Sequence, residues 1–143
     1  MSGSREFVVH IDGASSGNPG PAAAAVVITA DDGTVVHEEG YYLGRATNNV
    51  AEYYALLLAL EELLTLKAEA AVVYSDSELL VRQVSGEYRV KDRALRFLHA
   101  RVKRMAGALR RFEVRHVPRE QNRAADDLAK RAVRDATRTA PKP

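Results

Sequence analysis

Near Val50 the hydrophobic pattern of the chain changes from the period of strands to that of a helix, and the class of fold follows from that change. Phe7 to Ile11 is a β-branched and aromatic run reaching Asp12, followed at once by the loop Gly-Ala-Ser-Ser-Gly-Asn-Pro-Gly-Pro. Ala22 to Ala30 is almost wholly apolar, Asp31-Asp32-Gly33-Thr34 carries hairpin-turn chemistry, and Val35 to Leu43 resumes as a third strand. Strands joined by such short turns form an antiparallel meander. Ala51 to Leu66 is then rich in Ala, Leu and Glu, with Thr47, Asn48 and Asn49 available as N-caps. Its near-continuous apolar face suits a helix laid flat on a sheet. Ala71 to Tyr74 reads as a buried strand ending at Ser75-Asp76, and Glu78 to Val84 as a short helix stopped near Gly86. Leu95, Leu98, Val102 and Met105 recur at helical spacing, with Arg93, Arg96, Arg101 and Arg104 largely off that stripe. Phe112 to Val117 makes a fifth strand interrupted by Pro118, and 122–136 a last helix with Ala125, Leu128, Ala129, Ala132 and Val133 facing inward. This order predicts an α/β fold: a five-stranded mixed sheet, its first three strands antiparallel and the fourth and fifth added beside them, flanked by helices. Such a sheet leaves a crevice beyond its strand ends, where Asp12 and Asp76 fall.

A chain of 143 residues has room for one domain and one core. We assign that domain to residues 5–136, with 1–4 as a tag or flexible start and 137–143 as a disordered tail or the start of a linker to a further domain. No apolar stretch approaches the roughly 18 residues of a membrane span, and no charged-then-apolar leader opens the chain. A monomer of the cytoplasm without membrane contact is therefore expected. The absence of cysteine excludes disulfides, thiolate nucleophiles and cysteine zinc sites. His10, His37, His99 and His116 lack metal-ligand pairing, which argues against a zinc hydrolase. Charge is divided unevenly: residues 1–81 hold 3 basic and 12 acidic side chains, residues 82–143 hold 18 and 7. The basic half suits a polyanionic partner, or else the solvated surface of an Arg-rich helix.

Four acids occupy structural junctions. Asp12 ends the first strand, Glu52 lies in the first turn of the long helix, Asp76 ends the fourth strand and Asp126 opens the last helix. Taken singly, each reads as a turn former or helix cap. If they converge, carboxylates about 4 Å apart repel by roughly 4 kcal/mol at an effective dielectric near 20, so protons or cations must offset the charge. Oxygen ligands without cysteine favour Mg²⁺ or Mn²⁺ over Zn²⁺. Two such ions can activate a water and stabilise the leaving oxygen in an in-line phosphodiester displacement.

Four segments carry a resemblance. They are Asp12 to Pro21 (DGASSGNPGP), Gly44 to Glu52 (GRATNNVAE), Ser75-Asp76-Ser77, and His116 to Asp126 (HVPREQNRAAD). In this order and register the chain resembles the type 1 ribonuclease H family over about residues 6 to 135. The resemblance implies an endonuclease that hydrolyses the RNA strand of an RNA/DNA hybrid, giving 5′-phosphate and 3′-hydroxyl ends. It implies Asp12, Glu52, Asp76 and Asp126 as ligands of two Mg²⁺ ions, with Mn²⁺ as a substitute, and Asn122 marks Asp126 rather than Asp127 as the fourth. His116 matches a mobile-loop histidine that handles a proton or product departure. Arg45 and Thr47 would grip a DNA-strand phosphate, while Asn18, Asn48 and Asn49 line the minor groove. Gly13, Ser15 and Gly17 belong to the loop that would let the backbone approach a ribose, whose 2′-hydroxyl distinguishes RNA.

Two departures qualify the match. Only 40 positions separate Asp76 from His116, which leaves no room for the basic handle that many relatives insert there. The helix carrying Arg96 to Arg104 would then supply part of the electrostatic grip. Glu78 places an acid beside the groove, with an open effect on binding. The alternatives are a non-catalytic nucleic-acid-binding module and another nuclease of the same fold; all four acids being present weighs against the first.

Overall fold

The computed structural model describes residues 5–138. Along the chain run β1 (Glu6–Ser15), β2 (Gly20–Ala30), β3 (Val35–Ala46), α1 (Asn48–Thr65), β4 (Ala70–Ser75), α2 (Glu78–Val84), α3 (Arg93–Ala106), β5 (Arg111–His116), a 3₁₀ turn (Arg119–Gln121) and α4 (Arg123–Arg138). The strands form one sheet in the order β3-β2-β1-β4-β5. β1, β2 and β3 pair antiparallel, whereas β4 runs parallel to β1 and β5 parallel to β4. The expected mixed sheet is thus the observed one.

Alternation along the strands divides the core into two layers. Phe7, Val9 and Ile11 of β1 and Ala24, Val26 and Ile28 of β2 meet Leu56, Leu60 and Leu63 of α1, and Leu95, Leu98 and Val102 of α3 close that layer. On the other face Ala25 and Val27 meet Ala125 and Ala129 of α4. β2 is therefore buried on both faces, which explains its unbroken apolar sequence. Truncating a fully buried leucine here, such as Leu60, costs about 2–5 kcal/mol. α4 can lie close to β3 because Gly40 has no side chain: a Cβ there would stand 2.8 Å from the Leu128 carbonyl oxygen.

Several boundaries differ from the expected ones. β1 does not end at Asp12 but continues to Ser15, because its antiparallel partner persists as far as Ser15↔Ala22. β3 likewise continues past Leu43 to Ala46, opposite Gly20. α1 begins at Asn48, three residues early, with Thr47 as the cap: its hydroxyl accepts from Val50 N at 3.2 Å. The 3₁₀ turn after Pro118 had no sequence signal in our reading. α4 extends through Arg138, so Thr137 and Arg138, expected in a tail, form its last turn, where the Thr137 hydroxyl bonds to the Val133 carbonyl at 2.9 Å. Residues 1–4 and the remainder of the expected tail lie outside the described residues. No helix among the described residues is long and apolar enough to cross a membrane.

Candidate active site

Asp12 and Asp76 are brought together by strand register. β1 and β4 pair in parallel as far as His10↔Tyr74, and the same register carried two residues further sets Asp12 beside Asp76. β4 has ended there, so the flank of Asp12 is open while β2 still holds its backbone. Glu52 arrives from α1 through a close approach. A Cβ at Gly13 would lie 2.4 Å from Glu52 N and 2.5 Å from the Ala51 carbonyl carbon, so only glycine lets α1 rest on β1 here; Glu52, expected in the first turn, stands in the second because the helix begins at Asn48. Gly13 N donates to Glu52 Oε1 at 3.1 Å and fixes the carboxylate. One oxygen each from Asp12, Glu52 and Asp76 lies within 4.8 Å of the others. These acids, with Asn48, Ser77 and Arg119, line a cavity of about 280 Å³.

Asp126, the fourth expected acid, stands beside this trio rather than within it and lines the adjoining hollow with Gly13, Asn48 and Arg119. The buried amide of Asn122 donates from Nδ2 to the Ile11 carbonyl at 2.8 Å, tying the start of α4 to the strand that carries Asp12. Four residues on, Asp126 reaches hydrogen-bonding distance of Asp12, and its Oδ2 takes the Lys130 ammonium at 3.0 Å. Asp127 points outward and is exposed.

Burial and mutual repulsion set the electrostatics of these acids. Burial, then the neighbouring Asp76 charge, pushes the Asp12 carboxyl up to about 8. Burial, then Asp12 and Asp76, pushes Glu52 well above the ordinary carboxylate range. Burial also presses on Asp126, but hydrogen bonds from Lys130 and Asp12 outweigh it and hold this carboxyl below its usual value. Asp76 Oδ2 is buried without a hydrogen-bond partner. A buried carboxylate oxygen left unpaired costs about 1–3 kcal/mol or more unless something binds it. Three converging oxygen donors, one of them without a partner and two pushed above the ordinary carboxylate range by burial and by their neighbours' charge, fit a hard divalent cation.

The remaining expected residues surround this cavity in varied ways. Asn48 lines it, and its backbone N donates to Asn18 Oδ1 at 2.9 Å, so the loop after β1 is latched to the start of α1. The Ser15 hydroxyl lies against the carbonyls of Gly17 and Ala46, and Gly17 adopts φ 102°, open to glycine. Gly13 also serves helix packing, and it lines the acid cavity. Thr47 is held as a cap, while Asn49 is exposed in the first turn of α1 and Arg45 is exposed near the end of β3. His116 ends β5 in register with Ser75 and is exposed. Glu78 pairs with Arg82 at 2.9 Å, so its charge is largely spent along α2. Our sequence reading passed over Arg119 and Lys130. Their signal was present: Arg119 sits inside the His116 to Asp126 motif, and Lys130 lies one helical turn after Asp126.

A mixed sheet in this strand order, with acids converging where its central strands run out, defines a protein of the ribonuclease H-like fold. The profile of the reverse transcriptase-like family matches residues 10–132. The chain is 45% identical over 136 residues to the bifunctional protein Rv2228c of Mycobacterium tuberculosis, spanning 94% of this chain and 37% of that protein. The N-terminal RNase H domain of Rv2228c, solved as a fusion with maltose binding protein, superposes with a TM-score of 0.92 at 41% identity, covering 96% of this chain and 100% of that one. Ribonuclease HI of Halobacterium salinarum is 41% identical over 127 residues, or 89% of this chain and 64% of that protein. LC11-RNase H1, solved in complex with an RNA/DNA hybrid, superposes at 0.86 with 39% identity over 92% of this chain and 99% of that one. The chain belongs to the ribonuclease HI family. It spans well under two thirds of the mycobacterial relative and slightly under two thirds of the halobacterial one.

Proposed function

We propose that this chain is a metal-dependent endoribonuclease that hydrolyses the RNA strand of RNA/DNA hybrids, leaving 5′-phosphate and 3′-hydroxyl ends, and that it works as a cytoplasmic monomer. The observation that carries this reading is the trio Asp12, Glu52 and Asp76 with oxygens within 4.8 Å, in a chain similar to a protein solved on such a hybrid. Asp12, Glu52, Asp76 and Asp126 would hold two Mg²⁺ ions, or Mn²⁺ in their place. When bound, the ions supply the positive charge that offsets the carboxylates and polarises the phosphodiester under attack.

The chain's own residues do the rest. The β1 and β4 backbones orient Asp12 and Asp76, and the Gly13 N–H orients Glu52, so the acids need little rearrangement. Arg119, at the rim of the cavity, faces the strand being cut with a permanent charge. Exposed His116 has room to swing and carry the proton that the departing 3′-oxygen needs. On the far side of the loop, Arg45 and Thr47 would take a DNA-strand phosphate, and Asn18, Asn48 and Asn49 the minor groove beside the 2′-hydroxyls read by the Ser15 to Gly17 loop.

A panel of labelled hybrid, double-stranded RNA and double-stranded DNA in Mg²⁺ or Mn²⁺ tests the reading. Hybrid cleavage is expected, and Asp76→Asn should abolish it while leaving the melting temperature unchanged or higher. An active Asp76→Asn protein would remove the site assignment.

A further inference from the structure

We infer that the groove between the β1–β2 loop and α4 seats a phosphate of the RNA strand next to the one being cut; the inference rests on the ribonuclease reading. A second hollow of about 440 Å³ opens directly from the acid cavity, with Gly13, Asn48 and Arg119 lining both. Ser15 and Ser16 form one wall. Lys130, Arg134 and Thr137 form the other, at the four- and three-residue spacing that makes one stripe along a helix. The apolar face of α4, through Ala125, Ala129 and Val133, is turned to the sheet, which holds that stripe rigidly over the groove.

Some arginines of the surface are spent on carboxylates and others are free to meet a ligand. Arg82, Arg111 and Arg115 are each ion-paired, with Glu78 and Glu87, with Glu6, and with Glu113. By contrast neither the Arg119 nor the Arg134 guanidinium makes an ion pair among the described residues, although both flank the same hollow. Its single acid, Asp126, is matched by Lys130. The groove therefore carries surplus positive charge beside the acid cavity. A guanidinium fork suits a phosphate. Arg134 sits one turn of α4, about 5.4 Å, beyond Lys130, and since Lys130 is taken by Asp126 it is Arg134 that this stripe leaves for a phosphate. Because the hollow shares a wall with the acid cavity, the phosphate it takes lies on the strand being cut and not across the duplex.

The test uses the Asp76→Asn background in Mg²⁺, so that hybrid binding is read without turnover. Adding Arg134→Ala should weaken binding about tenfold and reduce the slope of log affinity against log salt by roughly 0.9, the loss of one phosphate contact. Arg110→Ala, which removes the same charge at the far end of the sheet, should change neither. A single neutral methylphosphonate is then walked along the RNA strand. One position beside the cut should weaken binding in the Arg134 protein but not in Arg134→Ala, the non-additivity of a direct contact. An Arg134→Ala protein that behaves like Arg110→Ala overturns the proposal, as does coupling to a DNA-strand linkage. If the otherwise wild-type protein fails to cleave hybrid while the Arg134 coupling is seen, the ribonuclease reading falls and the groove stands.

Discussion

Substituting Gly13 by alanine tests how the site is built. The added methyl would stand 2.4 Å from Glu52 N, 2.5 Å from the Ala51 carbonyl carbon and 2.8 Å from the Ala51 oxygen, all backbone atoms of α1. An ordinary contact begins near 3.4 Å, so the turn of α1 at Ala51 and Glu52 must retreat by about 1 Å. Overpacking of this kind costs about 1–3 kcal/mol. Stretching the 3.1 Å bond from Gly13 N to Glu52 Oε1 removes part of a hydrogen bond to a carboxyl group, about another 1 kcal/mol. A total near 3 kcal/mol lowers the melting temperature of a domain this size by about 10 °C. Because the displaced turn carries Glu52, a shift of about 1 Å should also cost on the order of a hundredfold in kcat. Gly40→Ala is the comparison: its methyl meets the Leu128 oxygen of α4 at 2.8 Å, so it should destabilise without moving Glu52. Thermal unfolding by circular dichroism and Mn²⁺ titration by calorimetry report the two effects separately. A Gly13→Ala protein that melts within 2 °C of wild type and binds Mn²⁺ unchanged would refute the close approach. Equal loss of metal affinity in Gly40→Ala would show that global softening, not the position of Glu52, is responsible.

Other perturbations follow from the same geometry. Asp12 titrates near 8 and Glu52 well above its usual value in the folded chain, whereas unfolded carboxyls titrate near 4. Between those values the folded state binds more protons, so the stability of the metal-free protein should fall as pH rises from about 5 to 8. Mg²⁺ competes with those protons, so its stabilising increment should be larger at pH 8 than at pH 5.5; a melting temperature that climbs over this range without metal contradicts the assignment. Asn122→Ala orphans the buried Ile11 carbonyl and should cost about 1–3 kcal/mol in urea unfolding. Reversing the exposed Arg101 and Arg104 of α3 to glutamate should raise KM for hybrid more than it lowers kcat, and an unchanged KM at moderate salt rejects a role for that helix in binding.

The fold was legible because its signals are local and repetitive. Alternation in β1, the turn chemistry at Asp31 to Thr34 and the Ala/Leu run of α1 each name their element without knowledge of the rest. What escaped was whatever depends on two segments at once. A glycine beside an acid reads as room for a ligand, and that Gly13 also makes room for α1 is visible only once Glu52 N is placed against it. The extension of β1 past Asp12 is decided by β2, not by the Gly-Ala-Ser residues themselves, which taken alone read as a loop. Arg119 and Lys130 were hidden for a different reason: in a half so rich in arginine and lysine, no single cation stands out until the acids it faces are located.

The arrangement of the acids follows from an asymmetry at β1. This strand has an antiparallel neighbour that persists to Ser15 and a parallel neighbour whose pairing stops at His10. Asp12 therefore sits on backbone stiffened from one side and open on the other, the geometry that a change of strand direction produces in mixed sheets. The open flank would be filled by solvent were it not for three further segments that turn carboxyl groups into it, each with separate support: β4 for Asp76, the Gly13 contact for Glu52 and the Asn122–Ile11 bond for Asp126. None of these supports depends on another. The mutual repulsion of the acids is thus borne by sheet pairing and helix packing rather than by the ligands themselves. Divalent ions held as proposed would meet a site whose order is already supplied, and their affinity would be governed by charge and by the protons that Asp12 and Glu52 must give up rather than by the folding of the chain around them.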